Sequence, residues 1–175
     1  MCIRDSLQAQ WFAMYAADLT NALLADEDPH PGAFAALGSL LKGLAVPGNL
    51  ALALLRFQWA LLVDVGYRPE LQQDVEKGVA LPKAKAYSFD PKLGGLTMRN
   101  GMHDETWRVR SNTVELLRAI ASGETVLEQD REVAVRANRL LCTYFRSLID
   151  KQLPTMDFIL SNSPNAIGIS GKAFS

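Results

Sequence analysis

The chain has 175 residues, 49% of them hydrophobic and 21% charged, with a net charge of −1. That is enough apolar material for one domain with a real core, and too little positive charge for the whole surface to attract nucleic acid, so any such contact falls to local clusters. Two cysteines, Cys2 and Cys142, exclude a disulfide framework; no run reaches the roughly 18 apolar residues of a membrane span, and no signal-peptide core precedes Trp11, so a soluble cytoplasmic protein is the expectation.

The opening hexapeptide, MCIRDS over residues 1–6, looks like a translated adapter remnant and is read as an artefactual leader. From Leu7 to about Ala25, Trp11, Met14, Tyr15, Leu19 and Leu23 fall at helical spacing. The acidic turn Asp26-Glu27-Asp28 and two prolines flanking His30 end that helix, with His30 expected at the surface. A second helix is predicted over 32–46 and a third over 50–65, separated by Pro47-Gly48-Asn49. The third is apolar nearly all round, with Leu54, Phe57, Leu61 and Val65 on one face and Leu55, Trp59 and Leu62 on another. Such a helix belongs at the centre of a bundle. Gly66 and Pro69 supply its stop.

Helical periodicity is lost from Pro69 to about His103. Residues 83–89 suit a short strand, and Asp90-Pro91 with Gly94-Gly95 mark turns. A short helix over 112–121 follows, then a long amphipathic one over 131–150. In the latter Val133, Ala137, Leu140, Leu141, Tyr144 and Leu148 form one stripe, with Arg136, Arg139 and Arg146 away from it. The tail over 161–175 is small and polar and is read as disordered. The fold expected is mainly α: a helical bundle over 7–160 with a small β-hairpin or knuckle inserted at 70–103.

Chemistry is sparse. Cys142 lies in an apolar stretch and suits a small core residue. His30 and His103 are scattered, and no phosphate-binding loop or metalloprotease motif occurs. The acidic run 26–28 is a solvated turn rather than an ion site. The basic residues are the candidates for binding: Arg108 and Arg110 before the short helix, Arg136, Arg139 and Arg146 on the last one, and Lys151 after it. An ordinary solvated face competes with that reading. Arg56 sits in the apolar third helix, where it either pairs with an internal acid such as Asp18 or reaches a surface groove; pairing is favoured because an unpartnered buried charge is costly.

Three patterns, in order, resemble the helical C-terminal region of the bacterial DNA repair and recombination protein RecO. They are Tyr15-Ala16-Ala17-Asp18-Leu19; the segment from Leu55 to Leu62 running into Gly66-Tyr67-Arg68-Pro69-Glu70-Leu71; and Phe89-Asp90-Pro91 with Gly94-Gly95-Leu96. A weaker one is Lys151-Gln152-Leu153, where the family often shows Gly-Lys-Pro-Leu-Lys-Ser. The resemblance covers about Leu7 to Leu160. It implies a non-enzymatic, nucleoid-associated mediator that anneals single-stranded DNA, binds RecR and the acidic, Phe-ended tail of single-stranded-DNA-binding protein (SSB), and helps to load RecA. Arg56, Arg108, Arg110, Arg136, Arg139, Arg146 and Lys151 would be the DNA- or partner-binding residues. A helical interaction module with no DNA role is the alternative.

The chain departs from the family twice. Many members carry four cysteines around the hairpin, a donor set suited to tetrahedral zinc; here the matching positions are Asp74, Lys77, Met98 and Gly101. No cofactor is therefore expected, and the hairpin should be held by packing of Tyr87, Phe89 and Leu96. The family's N-terminal OB-fold, a five-stranded barrel that binds oligonucleotides, has no counterpart before Leu7, so DNA binding should be weakened.

Overall fold

The computed structural model describes residues 3–24, 29–46, 48–98, 106–126 and 131–161. Six helices occupy Ile3–Leu23 (α1), Pro31–Leu44 (α2), Leu50–Asp64 (α3), Ser111–Ser122 (α4), Arg131–Ile149 (α5) and Met156–Ser161 (α6). Three strands lie between α3 and α4: Ala86–Asp90 (β1), Gly95–Thr97 (β2) and Trp107–Arg110 (β3). The mainly helical fold with a small β insertion is as the periodicity predicts. α6 and β3 are additions, and α1 begins at Ile3 rather than Leu7.

α3 is the central post. Eleven of its residues are buried, Trp59 among them, and it packs against α1, α2, α4 and α5. The two amides that interrupt this centre are each half paired: Gln58 Nε2 donates to the Tyr15 hydroxyl at 2.9 Å and Asn138 Nδ2 to the Ala51 carbonyl at 2.7 Å, while Gln58 Oε1 and Asn138 Oδ1 meet no donor among the described residues. Cys142 is wholly buried, as expected, and burial pushes its thiol up to about 11.

Arg56 does not pair inside. It is the one exposed residue among positions 51–59, because nearly all round still leaves one line of the helix facing water. Asp18, its expected partner, accepts from the Thr155 hydroxyl at 2.8 Å. His30 also differs from expectation. It is half-buried, with Nδ1 2.8 Å from Asp64 Oδ2, because α2 begins beside the end of α3. Asp64 lies so close to Gly32 that an added Cβ would meet its Oδ1 at 2.2 Å.

The sheet is antiparallel in the order β2-β1-β3, with Phe89 opposite both Leu96 and Trp107. Phe89 and Leu96 are wholly buried, and Phe89 stacks on Trp107 (5.6 Å between centroids) and meets Tyr144 edge-on (5.2 Å). Tyr87 is half-buried under Arg118, whose guanidinium lies 5.8 Å from the ring centroid and donates to the Leu71 carbonyl. Apolar packing is not the hairpin's sole support, however, since the segment before β1 is also tied to β2 through Asp74. The acidic run 26–28, Gly101, His103, Cys2 and the tail beyond Ser161 lie outside the described residues.

Candidate partner-binding cleft

The basic residues grouped by the sequence separate into three environments. On β3 the side chains alternate, as a strand requires. Val109 is buried and Trp107 half-buried, whereas Arg108 and Arg110 are exposed. The two arginines therefore share the outer face of the sheet, opposite Ser88 and Ala86 of β1.

The arginines of α5 lie on one side of the helix but do not share a solvent-exposed face. Arg139 is only 5% exposed. Its Nη2 donates to the Leu160 carbonyl at 2.9 Å and its Nε to the Ile159 carbonyl at 3.4 Å. These are carbonyls of the last turn of α6, which have no N–H donor of their own within the helix. Arg139 is thus a tie between α5 and α6, not a free cation, and desolvation by burial lowers its pKa. Arg136 is half-buried, one turn from Glu132, with Nη1 3.9 Å from the carboxylate. The expectation of a common solvent face fails because α6, invisible in the hydrophobic pattern, covers the middle of it.

Arg146 has a different setting. It sits in the last turn of α5, where a cation offsets the helix dipole, and lines an open cleft of about 340 Å³ with Trp107, Thr143, Ser147, Asp150, Lys151 and Gln152. Arg146 Nη1 donates to Gln152 Oε1 at 3.4 Å. Gln152 in turn donates to Asp157 at the start of α6. Asp150 ends α5 in the left-handed region, φ 51°, and so swings Lys151 and Gln152 back across the helix end. The cleft therefore has an indole wall, two cations and one carboxylate.

Its lining offers charge and an aromatic face. The hydroxyls lining it are committed to backbone carbonyls of α5: Thr143 donates to Arg139 at 2.8 Å and Ser147 to Tyr144 at 2.7 Å. Among the described residues neither faces a histidine base. Of the predicted site residues, only Arg146 and Lys151 come together here. Trp107 and Gln152 were not foreseen as site residues; the alternation Trp107-Arg108-Val109-Arg110 was the available signal for the former.

Among the described residues no group of three or more His, Cys, Asp or Glu converges to hold an ion, and no helix there is long and apolar enough to cross a membrane.

The profile of the family described as "Recombination protein O C terminal" matches residues 4–157. The chain belongs to the RecO C-terminal family. Relatives carrying the name "DNA repair protein RecO" agree with this RecO assignment. Those from two strains of Dehalococcoides mccartyi are 32% identical over 147 residues, covering 78% of this chain and 58% of theirs. That from a Roseiflexus species is 25% identical over 185 residues, covering 98% of this chain and 65% of its own. That from Pseudoalteromonas atlantica is 33% identical over 92 residues, covering 53% and 38% respectively. The chain thus spans between 38% and 65% of the length of these RecO relatives.

Proposed function

We propose that this chain acts in DNA repair and recombination as a non-enzymatic RecO-type mediator, and that the Trp107–Arg146–Lys151 cleft receives the acidic, Phe-ended tail of SSB. Family membership supports the repair role. The cleft supports the partner, because an aromatic wall beside two cations suits a peptide that ends in acids and a ring. Arg108 and Arg110, on the outer sheet face, suit phosphates of single-stranded DNA. Binding to RecR and help in loading RecA follow from the same family reading.

The test is fluorescence anisotropy with a labelled SSB-tail peptide. Loss of one charge-assisted bond costs about 1.5–3 kcal/mol, so Arg146→Ala should weaken binding about tenfold or more, with Lys151→Ala adding to it. Affinity unchanged in the double variant removes the cleft from the reading. Affinity for single-stranded DNA should fall instead on replacing Arg108 and Arg110.

A further inference from the structure

Residues 70–98 hold no helix, yet they must present β1 and β2 to the bundle in one register. Asp74 lies at the centre of this region and is wholly buried. One carboxylate oxygen, Oδ1, accepts the backbone N–H groups of Glu76 and Lys77, each at 2.9 Å. The other, Oδ2, accepts the N–H of Met98 at 2.6 Å; the Thr97 hydroxyl lies 3.5 Å from it and 3.3 Å from Glu76 Oε2, and divides its one hydrogen between the two carboxylates. Two N–H donors come from the turn just after Asp74 and one, that of Met98, from the end of β2. The Gly78 N–H closes the turn on the Asp74 carbonyl at 2.8 Å, with φ 66° at Gly78, and the Val75 N–H donates to the Leu96 carbonyl at 2.9 Å.

The resemblance places thiolate ligands for zinc at Asp74, Lys77 and Met98. The residues present do not fit a metal. Both Asp74 oxygens are already met by donors pointing at them, which occupy the directions a cation would take. Lys77 adds positive charge, and a methionine thioether is a poor zinc ligand. A buried anion where backbone N–H groups of two loops converge is nevertheless the feature that a carboxylate and a thiolate cluster share.

We infer that Asp74 is a metal-free clasp: its single carboxylate joins the 74–78 turn to the end of β2 by hydrogen bonds alone. The order of the hairpin then depends on neither metal supply nor thiol oxidation state. Chelators leave it intact.

Amide hydrogen exchange on the full chain, with metal content measured alongside, tests this. The purified protein should hold no stoichiometric zinc, and a chelator should leave the exchange of Glu76, Lys77 and Met98 unchanged. Asp74→Asn keeps one acceptor oxygen and so can serve only one loop. Either Met98 or the Glu76–Lys77 pair should exchange about tenfold faster, the factor for losing one net hydrogen bond, while amides of α3 and α5 keep their rates. Zinc present at one per chain, with those amides released by the chelator, overturns the clasp; so do unchanged rates in Asp74→Asn. Should that variant fail to fold, the wild type decides: a coupling through the hydrogen bond between the Met98 nitrogen and the Asp74 carboxyl carbon supports the clasp, and a fast-exchanging Met98 amide without it refutes it.

Discussion

Arg139→Ala separates a structural arginine from a partner-binding one. The side chain is 5% exposed and makes one good bond, 2.9 Å to the Leu160 carbonyl, and one long bond, 3.4 Å to the Ile159 carbonyl. Bonds from a charged donor contribute about 1.5–3 kcal/mol each. Counting the long one at well under half strength gives a loss of about 2–4 kcal/mol, to which the lost packing of the three-carbon stem adds. For a domain of this size that is a fall in Tm of roughly 4–16 °C. Urea denaturation followed by circular dichroism reads the free energy, and the fluorescence of Trp11, with Trp59 and Trp107 replaced by Phe, reads α6 itself, because Phe158 of α6 stacks on Trp11 at 5.1 Å. The fluorescence should shift first, since α6 loses its tether before the bundle opens. Arg139→Lys should recover less than half, because an ammonium cannot span both carbonyls as the guanidinium fork does. A stability within about 0.5 kcal/mol of wild type, the range of ordinary surface substitutions, would refute this reasoning and return Arg139 to the surface.

Two further outcomes follow from local geometry. Asp150 holds φ 51° at the end of α5, a conformation glycine adopts without strain, so Asp150→Gly should raise stability by about 0.5–1 kcal/mol; a fall in thermal-melt midpoint would contradict it. Burial alone would raise the Asp74 carboxyl, but the N–H donors of Met98, Lys77 and Glu76, aided by the Lys77 charge, outweigh it and hold the group below its ordinary 3.8. The unfolded chain therefore takes the proton first. The clasp's contribution is full above about pH 5 and is lost as pH falls through the folded-state value. Denaturation midpoints measured below pH 4 should fall less steeply for Asp74→Asn than for wild type, and parallel curves would count against the assignment.

Much of the fold was legible because helical and strand periods are local. The apolar run 50–65 could only be a central helix, and α3 is one, while Gly66 and the Gly94-Gly95 turn punctuate where φ is positive or the backbone crowds: an added Cβ at Gly95 would lie 2.3 Å from Val75 Cγ1. The site was legible only in part. Charge on a helix says which side chains prefer water when nothing covers them, but not which are covered. α6 is six residues long, too short for a period to announce it, and it turned Arg139 inward. Arg56 went the other way, left at the surface on the single open line of a buried helix.

From the sequence came the order of the five longer helices, the position of the central post, the cysteine's burial and the RecO resemblance, all properties of residues within a few positions of one another. Tertiary structure alone decided which cations are free, that Trp107 stands beside Arg146 and Lys151, and that Asp74 meets Met98. Those pairings join residues far apart in the chain, and burial and hydrogen-bond satisfaction act on where side chains end up in space, not on their spacing along it.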